Sequence, residues 1–217
     1  MLVYAFAVKT RPPARTEKGT DLFSPEDRSV PTSRVQRRRE RTRAALLAAG
    51  ARQFASRGIG PVSVEELIAE ADVSRATFYG LFSSKYSLLE GILDPIFEIA
   101  TRRIRELCDR PAAEAIDGLV DIYWALWTTH RDGLKLIPLV DQETFAHFEK
   151  QHGALQEALL DLLLGAERAD LLRNGSAQYS LKVIARTAVQ LLRVYDGHAA
   201  AAALFRDALR GLLLRAH

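Results

Sequence analysis

The sequence predicts an all-α protein, and three observations support this fold class. From Arg34 onward, apolar residues recur at the three- and four-residue spacing of amphipathic helices. β-branched residues are scattered, and no hairpin dipeptide separates alternating apolar runs. Breaker residues divide the chain into segments of helical length. With 48% hydrophobic and 26% charged residues among 217, the composition excludes collagen-like, disulfide-scaffold and wholly disordered proteins.

Residues 1–33 differ in character from the rest of the chain. Pro, Thr, Ser and charged residues dominate positions 9–33, and so little apolar surface cannot offset the entropy of ordering. We therefore expect a flexible N-terminal extension over residues 1–33. The apolar run at residues 2–8 lacks the flanks of a signal peptide, and no run reaches the length of a membrane span. With one cysteine, Cys108, these features predict a cytoplasmic protein with no membrane partner.

Three short helices are predicted at the start of the folded region. The first covers Arg37–Arg57, where apolar residues form one stripe. The stretch Ser63–Glu66 is a capping box that begins the second helix. That helix ends at Asp72, a residue type that tolerates the left-handed conformation. Ser74 then caps a third helix that continues to about Leu81.

Longer helices are predicted for the remainder of the chain. Their approximate limits follow from Pro, Gly and Asn-Gly breaker signals, and they are 85–108, 111–130, 133–140, 142–166, 177–196 and 199–215. Pro95 lies inside the first of them. Because apolar periodicity continues beyond Pro95, we expect a bend rather than an end.

The charge is distributed unevenly along the sequence. Residues 34–85 carry ten basic and five acidic side chains, whereas residues 86–217 carry fifteen and eighteen. Such asymmetry indicates that residues 34–85 contact a polyanion. Charge alone fits a solvated basic surface equally well.

The three short helices have the layout of a helix-turn-helix DNA-binding unit. The second helix has an apolar underside made of Val64, Leu67, Ile68 and Ala71. Asp72 suits the tight turn. Phe78 and Phe82, four residues apart, would hold the third helix against the core, which leaves Arg75 and Thr77 on its outer face.

One run of residues in this unit is specific. Thr77-Phe78-Tyr79 is followed at fixed spacing by Phe82 and Lys85. Further matching residues are Leu46, Leu47, Phe54, Gly58, Ser63, Val64, Ala71, Val73, Ser74, Leu88 and Leu89. With these residues, the stretch from position 46 to 89 resembles the tetracycline-repressor (TetR) family of bacterial transcriptional regulators. It departs from the family at two points. Asp72 stands where the family usually has glycine. Gly80 and Leu81, which follow Tyr79, lack the DNA-contacting side chain that the family commonly has there.

The resemblance implies a helix-turn-helix DNA-binding domain at residues 34–85 and a helical ligand-binding and dimerisation domain at residues 86–217. It implies a homodimeric repressor, not an enzyme, that needs no cofactor or metal. A small apolar or aromatic effector would release it from a palindromic operator in double-stranded DNA. The implied DNA-binding residues are Ser63, Ser74, Arg75, Thr77, Tyr79, Lys85, Arg37 and Arg41. Among these, Arg75 would pair with guanine and Lys85 would contact a phosphate.

Two sets of candidates lie in the second domain. The first set consists of aromatic residues and histidines suited to a ligand pocket: Phe97, Tyr123, Trp124, Trp127, His130, Phe145, His147 and Phe148. Ordinary packing in the hydrophobic core explains each of them as well. Apolar stripes on the last two helices predict a dimer interface made of Ile184, Ala188, Leu191, Tyr195, Leu204, Phe205, Ala208 and Leu212.

Alternative functions remain open at this stage. One is a DNA-binding protein without an effector, and another is an all-α enzyme whose helices only imitate the motif. Glu143 and His147 are four residues apart, but without a third ligand they make a weak metal site. No glycine-rich phosphate loop or nucleophile elbow is present in the sequence.

Overall fold

A computed structural model describes residues 33–215, except for the side chains of Gln142 and Glu143. Residues 1–32 of the predicted extension lie outside this range. Within residues 33–215 the chain is helical, with one isolated β-bridge between Leu172 and Leu214. The α-helices of the described residues are α1 (Arg34–Arg57), α2 (Val64–Ala71), α3 (Arg75–Tyr79), α4 (Lys85–Arg105), α5 (Ala112–Leu136), α6 (Gln142–Phe145), α7 (Glu149–Arg168), α8 (Ala177–Val194) and α9 (Ala201–Leu213).

Serine caps begin each of the first four helices. Ser63 Oγ accepts a hydrogen bond from Glu66 N at 3.3 Å, and Ser63 N donates to Glu66 Oε2 at 2.8 Å, so the predicted capping box is confirmed. Ser33, which we expected in the extension, instead caps α1 by the same reciprocal pattern with Gln36. Asp72 ends α2 with φ 51°, the predicted left-handed conformation. Local hydrogen bonding therefore sets these boundaries.

The C-terminal helices differ from the sequence prediction in two places. α5 continues to Leu136 through the expected break, which survives only as a kink at His130 (φ −132°, ψ 34°). The predicted helix over 142–166 is divided into α6, a 3₁₀ turn at Ala146–Phe148, and α7. Pro95 lies inside α4, and the helix continues past it as expected.

Helix α4 is the central element of the described fold. It packs against α1 on one side and against α5 and α7 on the other. Its buried side chains include Leu88, Leu89, Leu93, Ile96 and Phe97. The helix-turn-helix unit and the C-terminal helices therefore share one hydrophobic core rather than meeting at a polar surface.

We predict that Glu66 makes stability depend on acid pH. The Ser63 N–H, then the Arg57 guanidinium and the Ser63 hydroxyl, lower its pKa from 4.5 to about 2. A lowered carboxylate pKa contributes stability that is complete above pH 4.5 and is lost as pH falls towards 2. Thermal unfolding of wild type and Glu66→Gln should thus differ by a constant amount above about pH 5 and converge in acid.

The matched control is Glu157→Gln, because Glu157 is exposed in the middle of α7 and caps no helix. Its melting temperature should follow wild type at every pH. Parallel curves for wild type and Glu66→Gln down to pH 2 would contradict the prediction.

Candidate nucleic-acid interface and ligand cavity

The outer face of α3 is polar and accessible, while its inner face lies in the core. Phe78 is fully buried, and its ring contacts that of Phe82 with centroids 6.0 Å apart. Ser74, Arg75 and Thr77 are exposed on the opposite side. Ser74 Oγ accepts a hydrogen bond from Thr77 N at 3.1 Å, so the first turn of α3 is held rigidly.

Arg75 is held in place by two neighbours on this surface. Its Nη1 lies 2.7 Å from Glu65 Oε1, and its guanidinium stands 5.5 Å from the centre of the Tyr79 ring. Both partners of the ion pair are well exposed, so the pair contributes at most about 1 kcal/mol. DNA can therefore replace Glu65 at little cost, although the pair orients Arg75 beforehand.

Lys85 has a different environment from the one expected for a phosphate contact. Its Nζ donates to the carbonyl oxygens of Ile59, Gly60 and Val62 at 2.7–3.0 Å. These three bonds use all the donors of the ammonium group. The structure thus favours a structural role for Lys85, in which it fastens the α1–α2 loop to the start of α4.

Arginines of α1 extend the basic surface beside α3. An open groove of about 580 Å³ is lined by Arg38 and Arg39 of α1 and by Ser74 and Thr77. Arg39 Nη2 also donates to Gly80 O at 3.4 Å. The sequence emphasised other arginines of the same helix, Arg37 and Arg41; both are exposed but line no part of this groove.

A small enclosed cavity of about 100 Å³ lies among α4, α5, α7 and α8. Phe97 and Tyr123, two of the predicted ligand-binding residues, line it. His152 and Gln156 supply further polar atoms, and the lining has no Asp, Glu, Lys or Arg among the described residues. Burial lowers the pKa of His152 to about 4 and raises the pKa of Tyr123. Both side chains are therefore neutral near pH 7 and offer hydrogen bonds rather than charge.

Some of the other aromatic candidates surround the cavity without lining it. The ring of Phe148 meets the edge of Phe97, and Phe145 meets the edge of His152, with centroids 6.1 and 4.5 Å apart. Neither residue lines the cavity itself. His152 was not singled out from the sequence, although it follows Phe145 by seven residues and Phe148 by four, the spacing of one helical face.

The remaining candidates lie elsewhere. Trp127 is buried beside Arg131 and Lys135, Trp124 packs against Phe205, and His130 forms the kink of α5. His147 is exposed and its Nδ1 lies 2.9 Å from Glu90. Residues 33–215, without the side chains of Gln142 and Glu143, bring together no three His, Cys, Asp or Glu side chains that could hold a metal ion.

Sequence comparison now assigns the helix-turn-helix unit. Residues 46–92 match the model of the tetR family of bacterial regulatory proteins, and the match spans the second half of α1, all of α2 and α3, and the start of α4. The chain carries a tetR-family DNA-binding domain. No curated protein matches the sequence. None of the helices in residues 33–215 has the length and hydropathy to cross a bilayer.

Solved structures share the fold of most of the described residues. The ketosteroid transcriptional regulator KstR2 of Mycobacterium tuberculosis is 19% identical, with a TM-score of 0.66 over 80% of this chain and 95% of that one. The fatty acid degradation regulator FadR from Bacillus halodurans is 16% identical (TM-score 0.64; 80% and 94% covered). SmeT in its complex with triclosan is 15% identical (TM-score 0.59; 80% and 92%). The tetR-type arrangement therefore extends from the DNA-binding domain through the C-terminal helices.

The predicted dimer stripe on α8 and α9 needs revision at three positions. Ile184, Ala188 and Phe205 are at most 1% exposed, so they belong to the protomer core and offer no surface to a partner. Leu191, Tyr195, Leu204 and Ala208 are half-buried, and Leu212 is 40% exposed. Val194 at the end of α8 is 74% exposed and was not predicted.

We predict that Lys85 stabilises the tetR-family domain without adding to its salt-dependent affinity for DNA. Lys85→Met removes a charged donor from three carbonyl groups, so the free energy of unfolding should fall by about 1–3 kcal/mol. Because the ammonium points at protein, the slope of log affinity against log salt should not change.

The control variant is Lys182→Met, because the contact of the Lys182 ammonium group is a cation–π contact with the ring of exposed Tyr179. It should change stability little. A decrease of about one in the salt slope for Lys85→Met would instead identify Lys85 as a phosphate contact.

Proposed function

We propose that this protein is a homodimeric transcriptional repressor that leaves a palindromic operator when a small apolar or aromatic ligand enters the cavity. The exposure of Arg75 and Thr77 on α3, opposite buried Phe78, is the observation that carries this proposal. An α-helix with such a face fits the major groove of B-DNA.

Arg75 is the proposed base-reading residue. Its guanidinium can pair bidentately with O6 and N7 of guanine. Thr77 offers a hydroxyl and a methyl group to a neighbouring base edge, and the hydroxyl of Tyr79 is placed for a phosphate. Ser63 and Ser74 cap their helices through their hydroxyls, so their proposed DNA contacts come from the helix N-termini that they begin.

The remaining DNA contacts in this proposal come from α1. Arg38 and Arg39 line the groove beside Thr77 and are suited to phosphates, with Arg37 and Arg41 further from α3. These contacts would set affinity, whereas Arg75 would set sequence preference.

Dimerisation through the outer faces of α8 and α9 would place two copies of α3 about a twofold axis. Leu212 and Val194 supply accessible apolar surface on these helices, and Leu191, Tyr195, Leu204 and Ala208 supply partly accessible surface. Two reading helices related by a twofold axis require inverted half-sites about 34–36 Å apart, or a multiple of that spacing.

The cavity supports an apolar effector. Most of its lining is aliphatic or aromatic, and its polar groups Tyr123, His152 and Gln156 are neutral. One structural neighbour is named as a ketosteroid transcriptional regulator and another as a fatty acid degradation regulator, and a third was solved in complex with triclosan. By analogy of fold, we extend to this chain only the general class of apolar small molecules.

The function is tested by selecting genomic DNA fragments that the full chain binds. We expect the fragments to share an inverted repeat with the spacing given above. Ligand candidates suggested by neighbouring genes should lower operator affinity about 5–150-fold, and operator should lower ligand affinity by the same factor. Fragments without a repeat would contradict the dimeric repressor. Ligand affinity that is the same with and without operator would show that the cavity does not control DNA binding.

We predict that Arg75 and Arg38 contribute differently to binding. Arg75→Ala should cost about 1–3 kcal/mol for the selected operator and little for random duplex, because a base contact is lost. Arg38→Ala should weaken both and reduce the salt slope by about one, because a phosphate contact is lost. Fluorescence anisotropy at several salt concentrations measures both effects.

Arg110→Ala is the control, since Arg110 is exposed beyond the far end of α4. It should bind both DNAs as wild type does. If Arg75→Ala kept full operator affinity, α3 would not be the reading helix.

A further inference from the structure

The enclosed cavity adjoins a larger groove on the protein surface. This groove has a volume of about 660 Å³ and lies along the outer sides of α4 and α7. Phe97 lines both the cavity and the groove, and the neighbours Gln151 and His152 line one each. The Phe97 ring, which is 3% exposed, thus forms the partition between them.

The groove is charged, unlike the cavity. Arg102 and Arg105 on α4 and Lys150 on α7 line it and are exposed. Among the described residues, none of their side chains forms an ion pair or a hydrogen bond, although Glu98 and Glu106 line the same groove. Three cations without protein partners thus lie on one side of Phe97, and an apolar space lies on the other.

The sizes of the two spaces are complementary. The cavity volume corresponds to about three times the 30 Å³ that one water molecule occupies in the liquid, so it holds only a few carbon atoms. A longer apolar chain needs a path out of the cavity. Phe97 lines both spaces, so a chain that left the cavity beside Phe97 would enter the groove that Arg102 and Arg105 line.

We propose that the effector site, if it is the one assigned under the proposed function, takes an amphipathic anion. Its apolar end occupies the cavity, its chain passes Phe97, and its carboxylate or phosphate head lies in the groove against Arg102, Arg105 and Lys150. Guanidinium groups bind both kinds of head through paired hydrogen bonds. An acidic head cannot enter the cavity itself, because no cation lines it and an unpaired buried charge is strongly unfavourable.

The test is calorimetric titration of the full chain, without DNA, with decyl phosphate, decanoate, decanol and butyl phosphate below their micelle concentrations. We expect both long anions to bind at least about tenfold more tightly than decanol, and butyl phosphate to bind weakly because it leaves the cavity unfilled. A stronger response to decyl phosphate or to decanoate identifies the head group. A tenfold difference corresponds to about 1.4 kcal/mol.

Charge variants locate the head. The double variant Arg102→Gln/Arg105→Gln should lose about tenfold or more in affinity for the anions and none for decanol. Arg103→Gln/Arg110→Gln removes the same charge from the same stretch outside the groove, and it should bind all four compounds as wild type does. Circular dichroism checks that both variants are folded.

Two results would overturn the proposal. Equal binding of decanol and decyl phosphate, unchanged in Arg102→Gln/Arg105→Gln, would leave the cavity as an apolar effector site and remove the groove from it. Absence of binding by all four compounds would reject the amphipathic anion. Neither result affects operator selection, so failure of the proposed repressor function is detected separately.

Discussion

The packing of α4 against two sets of helices is the constraint on which the rest of the structure depends. Where α1 crosses it, Gly50 is required, because a Cβ there would lie 2.8 Å from Leu88 Cδ2. Where α5 crosses it, a Cβ on Gly133 would lie 2.5 Å from Ile96 Cδ1. The side chain of Ile92 reaches both crossings. A close-packed interior of this kind transmits displacement, since it has little free volume to absorb it.

The sequence predicted those parts of the fold that depend on local interactions. Ser63 with Glu66 and Asp72 with its left-handed backbone act within a few residues, so their patterns were enough to place α2 and the turn before α3. The kink at His130 has no such local pattern. Gly133 is a breaker in sequence, but α5 continues through it, and a Cβ there would displace the end of the Ile96 side chain, which lies far away in sequence.

In the candidate sites too, the sequence predicted the features that depend on local spacing and missed those that depend on distant residues. Apolar spacing showed that α8 and α9 are amphipathic, but Ile184 and Phe205 turned out to face their own protomer, because periodicity identifies an apolar face and not its partner. Phe78 and the exposed face of α3 were predictable from a four-residue spacing. The partners of Arg75 and Lys85 were not, since Glu65 and the carbonyls near Gly60 are ten or more residues away.

The α3 surface and the cavity are packed differently, and this difference indicates how a ligand would act on DNA binding under the proposed function. The first turn of α3 is already fixed by its serine cap, so under the proposed function only the exposed ion pair of Arg75 with Glu65 would have to open for DNA. The cavity is too small for most metabolites, so a ligand must displace its walls. Ile96 has little room to move towards Gly133, and the side of α4 that faces the groove is open to solvent. Under the proposed function, the least obstructed response to a ligand would be a shift of α4 and Phe97 outward. Because α1 is packed on the same helix at Gly50, that shift would also move the helix-turn-helix unit, and a coupling of about 1–3 kcal/mol would be enough to change operator affinity roughly 5–150-fold.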